Sequence, residues 1–245
     1  MMTKLPEITE GWAFFLDVDG TLIDIAPTPD AVIVPPGLPG MLESLLAKTG
    51  GALALLTGRS IETIDRLFAP ARLPIGAIHG AEIRFADGEV LATSAAPALA
   101  GIRTRLADFV AARPGMLLED KGSAVAVHYR AVPELHDAIE AEIRSAVAAA
   151  DHGLAVQPGK MVFEIRPAGA NKGEALVRFM SRTAFAGRRP IAVGDDLTDE
   201  TMFATALRLG GYASRVGMAA NSSSATMDFS NPSEVRNWIS RIITS

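Results

Sequence analysis

Across the first third of the chain, short apolar runs alternate with stretches of helical periodicity. Residues 13–17, 52–56 and 75–78 read as strands, with helices over about 37–48 and 60–68 between them. That succession is the rhythm of a parallel sheet. Pro35-Pro36-Gly37 marks the start of the first helix, and Gly50-Gly51 separates its end from the next strand. From about Glu82 the pattern changes. Residues 82–93, 116–130 and 154–166 read as strands and hairpins, with Ala- and Arg-rich helices near 97–112 and 133–150. Lys121-Gly122-Ser123 and Pro158-Gly159-Lys160 are turn signals inside two of these hairpins. After Pro167 the first rhythm returns: a helix over about 171–182, a strand at 190–194, a helix over about 198–207, a strand at 212–216 and a last helix from about Pro232. The expectation is an α/β core with a parallel sheet, residues 1–81 and 167–245, interrupted by an inserted α+β module of residues 82–166.

Composition narrows the function classes. Of the 245 residues, 49% are hydrophobic and 21% charged, an ordinary globular balance that speaks against disorder. The net charge is −5 with no long basic run, so the footprint of a protein that binds nucleic acid or an anionic membrane is missing. Any phosphate site must be locally positive. There are no cysteines, which removes disulfides, thiol nucleophiles and cysteine metal sites together. The opening Met1-Met2-Thr3-Lys4-Leu5-Pro6-Glu7 has no apolar core of signal-peptide length, and no segment approaches about 18 uninterrupted apolar residues. A soluble, cytoplasmic monomer acting on a small molecule is expected.

The candidate chemistry lies at the strand ends. In Phe14-Phe15-Leu16-Asp17-Val18-Asp19-Gly20-Thr21-Leu22 an apolar run ends in two carboxylates two positions apart, then a glycine. Alternate side chains of a strand share a face, so Asp17 and Asp19 can lean into one crevice, and Gly20 lets the chain turn sharply. Carboxylates that close repel, and a magnesium ion is a natural way to keep both ionised. One can then attack phosphorus while the other handles protons. A strand ending in an acidic turn would look the same, so further motifs must decide. The strand at 52–56 runs into Thr57-Gly58-Arg59-Ser60, where a threonine hydroxyl and backbone donors suit a phosphate, and Ser60 suits a helix cap. Asn171-Lys172-Gly173-Glu174 opens a later helix with Asn171 as cap. A cation in a first helical turn opposes the dipole, so Lys172 is a candidate to neutralise phosphate and keep Asp17 deprotonated, beside the plainer reading of a solvated lysine. Gly194-Asp195-Asp196-Leu197-Thr198-Asp199 repeats the opening logic. One of its acids can complete an oxygen-only magnesium site with Asp17, and another can cap the helix.

As a set and in this order, Asp-Val-Asp-Gly-Thr-Leu, Thr-Gly-Arg, a lysine and Gly-Asp-Asp-x-x-Asp resemble the haloacid dehalogenase superfamily of phosphohydrolases. The resemblance implies a Rossmann-like core, Asp17 as nucleophile, Asp19 as acid and base, and Thr57 and Lys172 on the phosphate. Magnesium would be held by Asp17, by the backbone carbonyl of Asp19 and by acids among Asp195, Asp196 and Asp199, with Gly20, Gly58 and Arg59 among the substrate contacts. The stretch from Thr57 to Lys172 is far longer than one helix and strand require; in the superfamily, an α+β insertion here is a cap that reads the leaving group.

The cap strings Ile78-His79-Gly80-Ala81-Glu82, Glu119-x-Lys121, His128-Tyr129-Arg130 and Gly159-Lys160-x-x-Phe163-Glu164-Ile165-Arg166-Pro167 look like trehalose-6-phosphate phosphatases. That likeness implies hydrolysis of trehalose 6-phosphate through an aspartyl-phosphate. Glu119, Arg130, Lys160 and Glu164 would contact the sugar hydroxyls, with Lys121 close by and His79 also on the substrate. Alternation places Lys160, Val162, Glu164 and Arg166 on one face, although a solvated sheet with cross-strand ion pairs would present the same pattern. His79 and His128 equally suit local hydrogen bonding, and neither is assigned to a metal. Phosphatases of sucrose phosphate or mannosyl-phosphoglycerate, and a phosphomutase, would share the core motifs. A non-catalytic sugar-phosphate sensor would have no need of Asp19.

Overall fold

The structure is a computed structural model that describes residues 11–93, 96–150, 153–159, 161–217 and 223–244. These fall into two compact units, one within 1–90 and 171–245, the other within 91–170.

The larger unit is built on β1 (Trp12–Leu16), whose five residues are all buried. A strand buried on both faces must be apolar throughout, which is why this run shows no alternation. It lies between β2 (Leu53–Leu56) and β10 (Arg189–Gly194), parallel to both. Beyond them stand β3 (Ile75–Ala77) on one side, and β11 (Tyr212–Val216) and β12 (Met227–Phe229) on the other, all parallel. The full order is β12-β11-β10-β1-β2-β3-β4-β5, closed at one edge by β4 (Glu82–Arg84) and β5 (Val90–Ala92). Phe14 and Phe15 point to opposite faces. Phe14 packs on Trp238 of α7 (Pro232–Thr244), ring centroids 5.8 Å apart, and Phe15 on Phe179 of α5 (Lys172–Met180), 6.2 Å apart. Each fully buried phenylalanine contributes about 1.5–3 kcal/mol relative to exposure, and together they fix helices on both faces.

The change of rhythm at Glu82 has a different cause from the one expected. β4 pairs antiparallel with β3, Gly76 opposite Ile83, so the alternation marks a switch of strand direction inside the larger sheet rather than the start of the second unit. That unit holds α3 (Ala96–Ala111), β6 (Leu117–Asp120), β7 (Val125–His128), α4 (His136–Ala149), β8 (Leu154–Gly159) and β9 (Val162–Pro167). Its sheet is antiparallel in the order β6-β7-β9-β8. One face, carrying Val125, Val127, Phe163 and Ile165, packs with Leu99, Ile102 and Leu106 of α3 and Ile139 and Ile143 of α4. The other face carries the row Glu119, Ala126, Glu164 and Gln157, aligned across all four strands. Among the described residues, no helix is long and apolar enough to cross a membrane.

Candidate active site

Three parallel strands deliver the key side chains to one end of the larger sheet. Asp17 follows β1 directly, and its N–H donates to the Val193 carbonyl of β10 at 2.9 Å, so the first acid is fixed where the two strands end. The chain then reverses: Gly20 has φ +80° and donates to the Ile23 carbonyl at 2.8 Å. Glycine is required there for space as well as for φ, because a Cβ would lie 2.2 Å from Asp195 Oδ2. Gly194 serves the second motif through space alone, since a Cβ would meet Asp199 Cγ at 2.3 Å. Asp199 can therefore fold back on its own strand end, where Oδ2 accepts from the N–H groups of Asp195 and Asp196 at 2.9 and 3.0 Å.

Lys172 begins α5, with Asn171 as its N-cap accepting from Glu174 N–H at 2.9 Å. Only 2% of Lys172 is exposed, so the solvated reading does not hold. Its Nζ donates to Asp17 Oδ1 at 2.5 Å and to Asp199 Oδ1 at 2.6 Å. Burial works against the ammonium, but the Asp17 and Asp199 carboxylates more than offset it and hold its pKa above the usual lysine range. Asp17 is raised well above the ordinary carboxyl value by burial and by repulsion from Asp199 and Asp195, against the pull of Lys172. Burial and the neighbouring Asp199 and Asp196 push Asp195 up to about 7. Asp17, Asp195 and Asp199 each offer an oxygen within 4.8 Å of the others. Three carboxylates facing one lysine leave negative charge uncompensated, and an all-oxygen set suits a hard divalent cation such as magnesium.

Asp19 and Asp196 stand apart from that trio. Both oxygens of Asp19 accept from Arg59, Nε at 2.7 Å and Nη2 at 2.8 Å. The exposed Asp196 caps the short 3₁₀ turn Leu197–Asp199, accepting from Leu197 N–H at 2.7 Å. Thr57 follows β2, where its hydroxyl accepts from Arg59 N–H at 3.1 Å and its carbonyl from His79 N–H at 2.9 Å. Ser60 caps α2 (Ile61–Leu67), accepting from Thr63 N–H. Gly58 allows the His79 ring to approach, since a Cβ there would lie 2.7 Å from Nε2. Ile78 and His79 have φ +48° and +53°, an unusual strain for a β-branched residue that sits next to this loop.

On the polar face of the smaller unit, Lys121 Nζ donates to Glu164 Oε2 at 2.6 Å, and Glu119 pairs with His128 Nε2 at 2.8 Å. Lys121 directly follows β6, and the small, buried Ala124 and Ala126 lie just before and within the neighbouring β7. Arg166 donates to Gln157 Oε1 at 2.9 Å. Arg130 is exposed just beyond β7, and Lys160 lies outside the described residues.

The family model for trehalose-phosphatase matches residues 15–235, a span that takes in both units and every motif above. The chain belongs to the trehalose-phosphatase family. A Sinorhizobium fredii (strain NBRC 101917 / NGR234) relative named "Probable trehalose-phosphate phosphatase" is 48% identical over 91% of this chain and 84% of its own length. The Escherichia coli (strain K12) protein named "Trehalose-6-phosphate phosphatase" is 39% identical over 100% of this chain and 91% of its own. Among solved structures, the C-terminal domain of the C. albicans trehalose-6-phosphate phosphatase superposes with a TM-score of 0.82 at 23% identity, covering 96% of this chain and 93% of that one, a likeness of fold. Trehalose-phosphatases are phosphoric monoester hydrolases, and the α/β architecture with a mostly parallel sheet is the one this chain shares with the C. albicans domain.

Of the residues singled out in the sequence, the structure brings Asp17, Lys172, Asp195 and Asp199 into one cluster, and places Asp19 with Arg59 beside the Thr57 loop. It does not bring Asp196 or the Asp19 side chain into the carboxylate trio. The sequence reading missed the bond from Lys172 to Asp199 and the fork of Arg59 on Asp19. It named Gly194 at the head of the acidic motif, but not the close approach of Asp199 that this glycine permits.

Proposed function

We propose that this chain hydrolyses trehalose 6-phosphate to trehalose and phosphate, and the bond from Lys172 Nζ to Asp17 Oδ1 is the observation that carries the reading. A lysine at the start of a helix, bonded to a buried carboxylate at a strand end, keeps that carboxylate's other oxygen available as a nucleophile while offering positive charge to a phosphoryl group. Asp17 attacks phosphorus and the P–O bond to the sugar breaks, giving an aspartyl-phosphate and an alkoxide. Asp19 delivers the proton that alkoxide needs. Water then attacks phosphorus, Asp19 takes its proton, and the bond to Asp17 breaks to return the carboxylate. Thr57 and Lys172 bind the phosphoryl oxygens, together with backbone N–H groups of the loops at Gly20 and Gly58.

Magnesium fits the uncompensated charge of the carboxylate trio, and Asp17, Asp195 and the Asp19 carbonyl would hold it. When bound, it neutralises charge on the transferred group. Asp199, committed to Lys172 and to two backbone N–H groups, acts as the support of Lys172. The smaller unit, within 82–166 by rhythm and 91–170 by compactness, serves as the cap. Its mixed acidic and basic sheet face, Glu119, Lys121, Glu164 and the neighbouring Arg130 and Lys160, suits a disaccharide rich in hydroxyls and poor in charge.

The test is magnesium-dependent phosphate release from trehalose 6-phosphate, sucrose 6-phosphate, glucose 6-phosphate and mannosyl-phosphoglycerate. Preference for the trehalose ester, with D17N reducing its turnover by about 10³-fold or more, is expected. No preference would overturn the substrate, and an active D17N would overturn the nucleophile.

A further inference from the structure

The guanidinium of Arg59 is committed in a way that phosphate binding does not explain. Two of its donors, Nε and Nη2, each meet one oxygen of Asp19, the parallel fork that fixes a carboxylate in both direction and plane. Both partners sit on backbone that is itself pinned. Arg59 N–H donates to Thr57 Oγ1, and its carbonyl accepts from Ile78 N–H at 3.0 Å, so the loop after β2 is tied to the turn after β3. Asp19 bridges to Ile23 across the tight turn at Gly20. The side chain of Arg59 is 12% exposed and that of Asp19 36%, which leaves the carboxylate as the more accessible member. Positive charge for the phosphoryl group is already supplied beside Asp17 by Lys172.

We propose that Arg59 is the positioning residue for Asp19: it holds that carboxylate in the orientation from which it exchanges protons with the leaving oxygen and with water. A carboxylate has about four lone-pair sites, so a fork that takes one on each oxygen leaves two for proton traffic. The hold therefore need not be broken during turnover. This role rests on the phosphatase reading above, with Asp19 as acid and base. It makes Arg59 act through Asp19, where the sequence had suggested a substrate contact.

The experiment compares kcat/KM, which reports only on formation of the aspartyl-phosphate when that step is irreversible, for trehalose 6-phosphate and for 4-nitrophenyl phosphate. The aryl ester shares the phosphoryl group, but its leaving group departs without needing a proton. R59M is expected to lose about 10- to 100-fold on the sugar ester and no more than about threefold on the aryl ester. R59K, which keeps the charge without the fork, should show an intermediate loss on the sugar ester. In the D19N background, R59M should add no further loss, because the two residues act as one unit. Equal losses on both esters, or losses that add in the double variant, would overturn the role and make Arg59 a phosphate ligand. If R59M melts below the assay temperature, R59K and D19N/R59K carry the same comparison. Failure of the wild-type protein to hydrolyse either ester would instead strike the phosphatase reading itself.

Discussion

A single lysine stands among three carboxylates at the end of β1, and its removal is a test of what that placement stabilises. Lys172 is buried with carboxylates on two sides, Asp17 at 2.5 Å and Asp199 at 2.6 Å, while Asp195 stands within the same cluster. Taking one partner out of a buried charge group leaves the others desolvated and uncompensated, typically at about 3–5 kcal/mol. K172M is therefore expected to lower the free energy of unfolding by about that amount in urea denaturation without added divalent cation. D199N in the same background should return part of it, since Asp199 then no longer has Lys172 as a partner and its charge repels Asp17 and Asp195. Unchanged midpoints in both variants would mean the cluster stabilises nothing. The same environment explains why Lys172 was ambiguous in sequence: a lysine at a helix start is normally solvated, and only the fold reveals that two strand ends converge on it.

At the scale of elements, β4 is tied to α2 by one ion pair with a readable pH signature. Arg84 is 4% exposed and donates to both oxygens of Asp65 at 2.7 Å, and to the Leu73 carbonyl at 3.0 Å. The charged bonds from Arg84 hold the Asp65 carboxyl below its ordinary value of 3.8, against the opposite pull of burial. A depressed folded-state pKa contributes stability that is complete above the unfolded value and is lost as pH falls through the folded one. D65N should therefore be less stable than wild type by about 1–3 kcal/mol at neutral pH, with the gap closing below about pH 4 in parallel denaturation series. A constant gap down to pH 2 would show that the pair's charge plays no part. Elements of this kind divide what a sequence discloses from what it hides. The apolar runs ending at Asp17, Thr57 and Asp195 were legible because a parallel strand buried on both faces leaves an unbroken hydrophobic signature, and the chemistry sits where it stops. β12 was not legible, because its three residues are interrupted by Asp228 and lack the unbroken apolar run that marks the equally short β3. Glu82–Arg84 was legible as a strand but not as a member of the larger sheet, since pairing direction is a property of two segments. The fork between Arg59 and Asp19 was hidden for the same reason: its members are 40 positions apart, and an arginine after a Thr-Gly turn equally suits a phosphate.

For the molecule as a whole, the proposed function divides two tasks between the two units: phosphoryl chemistry for the larger, recognition of the alcohol for the smaller. On that proposal the larger unit's cluster of Asp17, Lys172, Asp195 and Asp199 meets only groups that every phosphate monoester shares. The polar groups of the smaller unit's sheet face already bond one another, Lys121 with Glu164 and Glu119 with His128. Such pairs are suited to exchange partners with sugar hydroxyls, because a carboxylate accepts and an ammonium donates without either having to lose its charge. Rejection of a substrate that lacks those hydroxyls follows, since buried polar groups would be left without matching partners. Glu164 is 4% exposed and sits where β9 aligns with Ala126 of β7, so Glu164→Gln keeps shape while removing the charge that holds Lys121. On the division proposed, E164Q should reduce kcat/KM for trehalose 6-phosphate by about 10- to 100-fold and leave 4-nitrophenyl phosphate within about threefold. The contrast with R59M is informative, because both spare the aryl ester but for different reasons. R59M acts on the proton that an alkoxide needs, so any alkyl phosphate should suffer. E164Q acts on recognition of the sugar, so glucose 6-phosphate, a smaller ester of the same alkoxide type, should be affected far less than the trehalose ester. Equal losses from E164Q on trehalose 6-phosphate and on the aryl ester would mean that the smaller unit supports the chemistry itself, and the division of tasks would fall.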